Sequence, residues 1–454
     1  MNPSNTLIKD LTQGNIRKQL VHFVLPLMMA NALQTAFNLV DMFFVGRYAG
    51  TQALSAVSIG GQITMLMFSL YLGLATGAQI CVAQAVGSGN RGQLNGLVGN
   101  SITISVLVGL VTMIVIPLAG PILTIMQTPA EIMGQTVLYL RICCYANILI
   151  ALYNSISGTM RGMGDSRHPM VFIVVATVVN IVLDYLFIAV FKWGVAGAAW
   201  ATIIGQSSAA VVAIVFLYKK RKEFGFDFKM KSFRLEGRYS KPLFQIGVPV
   251  SAKALFINLS FLFVNANINH FGVVSIAAAG IAQKVLSVMN IVSNALNDGT
   301  ASIVGQNFAA GKQERVQKTV WTAAGIGLAF SFILIALFLL FPHQIFGIFT
   351  RDQEVIAVSR PYLACCAIMA FTFALMSPTI GLTNGVGNAA LNMVIAFADG
   401  VAARIILSLI FGYGLEMGAV GFYLGNCLAG FVSVIWGGWY FLSGRWKKRK
   451  VLGN

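Results

Sequence analysis

The chain has 454 residues, 57% of them hydrophobic and only 10% charged, with a mean hydropathy of +0.78; soluble domains carry about 25% charged residues, so an ordinary globular enzyme is excluded. The formal net charge of +17 does not signal a nucleic-acid partner, because the basic residues sit in short loops between apolar runs and form no contiguous basic domain. A spanning helix needs roughly 20 apolar residues, and the apolar runs are too long for tilted barrel strands, so the expected fold is all-α and integral to a membrane, with about twelve transmembrane helices.

The N-terminus is polar as far as Gln19. The apolar run from Leu20 is too long for a signal-peptide core and carries no cleavage pattern, so no removal is expected. Six apolar spans follow near 20–46, 54–86, 97–125, 134–158, 168–191 and 195–218, then six more near 243–270, 276–307, 318–341, 355–384, 390–412 and 418–442. Alternate loops differ sharply in charge. One set holds Lys9, Arg17, Lys18, Arg91, Arg161, Arg167, the 219–241 stretch, Lys312, Arg315, Lys318 and the tail from Arg445 to Lys450, whereas the other holds only Arg47, Lys192, Arg351 and Arg360. By the positive-inside rule both termini are expected to be cytoplasmic, in a multi-pass protein of the cytoplasmic (inner) membrane. Its basic loops are expected to meet anionic lipid headgroups.

The chain repeats itself across its one long internal polar segment. VAQAVGSGNRGQ from Val82 matches VGQNFAAGKQER from Val304, and Cys143–Cys144 recurs as Cys365–Cys366. RGMGD from Arg161 matches NGVGN from Asn384, and VLPLMMA from Val24 matches GVPVSAK from Gly247. A spacing of about 222 residues recurs in these pairs. The expected organisation is an N-terminal six-helix lobe (1–218), a basic cytoplasmic linker (219–242) and a C-terminal six-helix lobe (243–454). With an even number of spans per unit, the lobes should be related by a pseudo-twofold axis along the membrane normal.

Ionisable residues within hydrocarbon are costly and are functional candidates by default. Asp41 in the first span and Asp184 in the fifth lie at similar depth, with Asn180 one helical turn from Asp184. Tyr139 and Thr202, early in inward-running spans, reach the same level. Two close carboxylates in low dielectric do not readily both ionise and titrate as a pair. They can take a proton, or share Na⁺ with the oxygens of Asn180 and Thr202. Pro26 is the expected bending point of the first span. In the second half Lys253, Asp298 and Asp399 are candidates for a buried ion-pair network, serving either structure or gating and substrate contact. Arg404, five residues beyond Asp399, is too far around an α-helix to be assumed its partner. Gln34, Asn38, Asn154 and Met28 are the expected cavity-lining residues. The six cysteines show neither zinc nor redox spacing and read as packing residues.

These residues resemble the multidrug and toxic compound extrusion (MATE) family, within a superfamily that also holds polysaccharide and lipid-linked precursor flippases. The resemblance rests on LPLMMANALQTAFNLVDMFFVGRYAG from Leu25, VGSGNRGQ from Val86, GTMRGMGDSRHPM from Gly158, NIVLDYLFI from Asn180 and GVAGAAWATIIGQ from Gly194. It implies alternating access by two six-helix lobes and, as in DinF-type members, a proton or sodium site at Asp41 and Asp184, supported by Asn180, Tyr139 and Thr202. NorM-type members also use acids in the seventh and tenth spans. Here the seventh carries Lys253 and the tenth no acid, so the DinF-like branch is favoured. The expected function is H⁺- or Na⁺-coupled antiport of small amphipathic, often cationic compounds by a monomer without organic cofactor, enzymatic activity or nucleic-acid partner. The alternative is a flippase of the same superfamily.

Overall fold

The computed structural model describes residues 8–452. Among them the regular structure is entirely helical. Ten helical stretches are long and apolar enough to cross a membrane, or eleven when the bent pair Ala130–Cys144 and Asn147–Gly162 is taken as one span. The first stretch, Ile16–Gly87, is 72 residues long. At about 1.5 Å per residue it far exceeds a hydrocarbon layer of about 30 Å, so it holds two passes. The division falls at Gly50, whose φ of 89° breaks the helical path. The expected dozen spans are thus present.

The first six spans run through α1 (Ile16–Phe44), α2 (Gly50–Gly87), α3 (Leu94–Thr112) with its short apolar continuation α4 (Val115–Ile125), α5 (Ala130–Cys144) with α6 (Asn147–Gly162), α7 (Arg167–Asp184) and α8 (Gly194–Lys219). The second six run through α9 (Gly237–Ile268), α10 (Val273–Ala309), α11 (Gln313–Leu340), α12 (Ser359–Gly385), α13 (Ala389–Phe397) with α14 (Arg404–Leu409), and α15 (Gly418–Leu442). Large apolar side chains such as Phe43, Val111, Ile333 and Leu340 stand exposed, as lipid-facing helices require.

Two compact units divide the chain. One comprises residues 25–251 with the described residues 8–10, the other 11–24 and 252–452. The opening turns of α1 thus belong to the second unit and those of α9 to the first. Within the first unit α2 packs on α5, α6 and α3, and α7 on α8; within the second α12 packs on α10, α11 and α15. The tightest approaches are made by glycine. A Cβ on Gly158 would stand 2.2 Å from the Ala75 carbonyl oxygen, and one on Gly162 2.4 Å from that of Gln79. In the second unit Gly381 and Gly385 meet the Asn297 and Ala301 carbonyl oxygens at 2.8 and 2.9 Å in the same sense.

The duplication extends to individual backbone dihedrals. Gly50 and Gly272 have φ of 89° and 90°, and Gly89 and Gly311 have 74° and 71°, both pairs 222 residues apart. Gly164 and Gly387 are 223 apart, whereas Gly194 and Gly418, and Lys192 and Glu416, are 224 apart, all with positive φ. One extra residue therefore lies between Gly387 and Gly418. A π-helical segment at Ala398–Ala403 lies there, with no described counterpart at the matching place in α7. A π turn closes i→i+5 hydrogen bonds and so accommodates one additional residue without ending the helix.

The linker packs on the first unit. Asn100 accepts from the Glu236 amide at 2.9 Å, and Thr103 donates to the Phe233 carbonyl at 2.7 Å. Ser232 and the Lys229 amide donate to the exposed Asp227 carboxylate and hold it below the usual carboxylate range.

Candidate cation site

Asp41 lies one turn before the end of α1, where the helix widens into a π segment at Val45–Ala49. Asp184 is the last residue of α7, immediately before a second π segment, Tyr185–Val190. The two widened segments touch each other, and the Phe44 and Tyr185 rings meet edge-on at 6.4 Å. The departures from α-geometry therefore meet beside both acids, a location typical of functional sites.

Asp41 is 7% exposed, and Asp184 and Asn180 are fully buried. The two carboxyls lie within electrostatic reach of each other and of the Tyr139 phenol. One Asp41 oxygen, both Asp184 oxygens, both polar atoms of Asn180 and the Thr202 hydroxyl have no hydrogen-bond partner of ordinary geometry. Leaving a buried polar group unpaired costs about 1–3 kcal/mol, more for a charged group. Five of these atoms are oxygens, and a cation or a proton is what buried carboxyl, carbonyl and hydroxyl oxygens accept as a partner. The oxygens, two carboxylates with an amide carbonyl and a hydroxyl, are a hard donor set that fits Na⁺ and equally a proton on a carboxyl. Among the described residues no group of three or more His, Cys, Asp or Glu forms a site for softer metals.

Two glycines that the sequence reading did not single out make room for this cluster. A Cβ on Gly60 would stand 2.5 Å from the Tyr139 ring, and one on Gly205 2.9 Å from the Asn180 Cβ. Gly60 thus lets Tyr139 lie flat against α2, and Gly205 lets α8 close on α7. The only sequence signal is a small residue at helical spacing, which many packing positions share.

The remaining candidates are more dispersed. Pro26 is buried inside α1, two residues past the point where that helix changes unit. Gln34 and Met28 are half-buried and Asn38 is exposed on the same helix. Asn154 is buried, and its amide donates to the Ile150 carbonyl of its own helix at 2.8 Å.

In the second unit Asp399 does pair with Arg404, at 3.4 Å, which α-helical spacing alone gives no reason to assume. Five residues along an α-helix turn a side chain by roughly 140°. At the wider π pitch of about 4.4 residues per turn the offset falls to roughly 50°. The Asp399 carboxylate also accepts from Ser433 at 2.5 Å and lies within electrostatic reach of half-buried Lys253. Asp298 is half-buried on α10, and none of these contacts to Asp399 involves it.

Comparison with known proteins gives this arrangement its setting. The MatE family pattern matches residues 26–186 and 249–413, which contain both acids and the point at which α9 passes from one unit to the other. The chain belongs to the MatE family. MatE proteins are membrane transporters. The chain is 30% identical over 347 residues to "Probable multidrug resistance protein YoeA" of Bacillus subtilis, covering 75% of each chain. It is 25% identical over 425 residues to the multidrug export protein MepA of Staphylococcus aureus, covering 92% of this chain and 89% of that one. A solved MOP superfamily transporter from Pyrococcus furiosus superposes with a TM-score of 0.89 at 22% identity, over 98% of this chain and 100% of the other.

Proposed function

We propose that this MatE protein is a cation-coupled antiporter that exports small amphipathic organic compounds from the cytoplasm by alternating access. The supporting observation is the cluster of unpaired buried oxygens around Asp41 and Asp184, at the meeting point of two π segments. A site short of positive charge changes its energy greatly on taking a cation. If the two access states bind that cation unequally, its gradient biases the conformational equilibrium. Asp41 and Asp184 receive H⁺ or Na⁺, Asn180 and Thr202 supply neutral oxygens, and Tyr139 closes the site on the α5 side. Substrate is taken up by the surfaces that include Met28, Gln34, Asn38 and Asn154.

Pro26 supports a bend in α1. It removes one backbone hydrogen bond and crowds the preceding turn, so α1 deforms there at little cost. The matching Pro249 of α9 also falls two residues from a crossing between units. Lobes at 1–218 and 243–454, the basic linker at 219–242, cytoplasmic termini in the inner membrane and a monomeric state complete the proposal.

The test is transport of an amphipathic fluorescent cation by reconstituted proteoliposomes, driven separately by a pH gradient and by a Na⁺ gradient. One of the two should drive accumulation, and Asp41→Asn should abolish it. Transport that ignores both gradients overturns the proposal.

A further inference from the structure

The duplication places a second, differently charged cradle in the C-terminal unit. With the 224-residue spacing of the Gly194–Gly418 pair, Asn180 corresponds to Arg404, Asp184 to Ser408 and Thr202 to Asn426. The equivalence is visible in packing as well as in number. A Cβ on Gly197 would stand 3.1 Å from the Phe187 carbonyl oxygen, and one on Gly421 2.3 Å from that of Phe411. Where the first unit gathers two carboxylates, the second has a guanidinium and a hydroxyl.

Arg404 is 4% exposed, and its Nε and Nη1 groups have no hydrogen-bond partner. Its guanidinium lies over the Phe261 ring at 4.5 Å, which occupies the flat face and leaves the donor edge. Its single bond to Asp399, 3.4 Å from Nη2, is long beside the usual 2.7–2.9 Å of a charge-assisted pair and is not the bidentate fork that guanidinium favours. The Asp399 carboxylate is engaged more closely by Ser433. The Asn426 carbonyl oxygen is likewise unpaired.

The charges do not balance. Lys253 and Arg404 share one carboxylate. The charged residues of α9, α12 and α15, the spans packed around this stretch, are Arg238, Lys241, Lys253 and Arg360, all basic. A buried cation with free donors is costly unless an anion completes it.

We propose that Arg404, fixed by the Ala398–Ala403 π segment and stacked on Phe261, docks the carboxylate of aromatic organic acids, making these anions a substrate class of the transporter. The inference deepens the export reading and rests on it. The incoming carboxylate takes the unused donor edge of Arg404 and outcompetes the long Asp399 contact, and Lys253 balances Asp399. Exposed Phe397, packed edge-on against Phe256 at 5.5 Å, offers an aromatic surface on the same span.

The experiment is equilibrium binding to the full-length detergent-purified chain, without any ion gradient. The probes are 1-naphthoate, 1-naphthamide and 1-naphthylmethylammonium, which share one ring and differ in charge. Wild type should favour naphthoate over naphthamide by roughly 10- to 100-fold, the value of a hydrogen-bonded charge. Arg404→Gln should erase that preference, and Arg404→Lys should keep part of it. Asp399→Asn should tighten naphthoate binding by removing the internal competitor, whereas a purely structural pair would give only a less stable protein. Equal wild-type affinity for naphthoate and naphthamide overturns the proposal, as does an undiminished preference in Arg404→Gln. If that variant is not monodisperse, Asp399→Asn/Arg404→Gln, which removes both charges, takes its place and the same criterion applies. Because no gradient is involved, the result is independent of ion coupling. Gradient-driven transport of naphthylmethylammonium by the Arg404 variants reads the antiport separately.

Discussion

Asp41 and Asp184 carry the coupling proposal because their surroundings leave them underserved. Replacing a carboxylate by its amide keeps shape and removes charge, so Asp41→Asn and Asp184→Asn should each fold and reach the membrane. Each should lower gradient-driven efflux to background, read as drug accumulation in cells and as dye transport in proteoliposomes. Thr202→Val removes one neutral oxygen and should weaken coupling by a smaller amount, roughly the 1–3 kcal/mol of a lost buried partner. Wild-type drug efflux in Asp41→Asn cells with normal protein levels would refute the assignment. Arg404 illustrates the opposite case, a residue whose role was hidden. Its partner lies five positions away, and only the π register rotates the two side chains together.

At the scale of helices, close packing depends on a few glycines. Gly158→Ala would drive a methyl into the Ala75 carbonyl at 2.2 Å, backbone against backbone with no flexible side chain to yield. Overpacking of this kind costs about 1–3 kcal/mol. The neighbouring control Gly61→Ala meets nothing within 4 Å and removes a helix-destabilising residue. Thermal unfolding in detergent should therefore show Gly158→Ala less stable than wild type and Gly61→Ala equal or higher. A Gly158→Ala protein with unchanged unfolding temperature would contradict the packing described. The pairing of α2 with α6 was not readable from hydropathy, since every span is apolar all round. The repeat was readable in part because duplicated turns keep glycine at Gly89 and Gly311 and at Gly164 and Gly387, where φ is positive.

For the whole molecule, the alternation of loop charge supports the proposal that both termini are cytoplasmic. Single cysteines at Asn15 and Lys447 in a cysteine-free background should resist a membrane-impermeant thiol reagent in intact cells and react in inside-out vesicles; reaction in intact cells would invert the topology. The energetics set a bound on what the proposed ion-coupled cycle would sustain. A proton entering down 100 mV gains about 2.3 kcal/mol, and a tenfold pH difference adds about 1.4 kcal/mol. For a monovalent cation exchanged one for one the voltage terms cancel and only the chemical gradient drives export.

Composition and hydropathy alone determined the membrane class, the number of spans and the expected orientation, because the cost of exposing polar backbone to lipid leaves few alternatives. The duplicated motifs likewise marked the two halves, and matched depth picked out Asp41, Asp184, Asn180, Tyr139 and Thr202. Tertiary structure alone decided what those side chains lack. Whether a buried oxygen has a partner depends on groups contributed by distant spans, as with Gly205 of α8 beside Asn180 of α7. It also decided the chemistry of the second half. One extra residue, absorbed as a π turn, places Asp399 and Arg404 together, and a helix-wheel reading at α pitch places them apart.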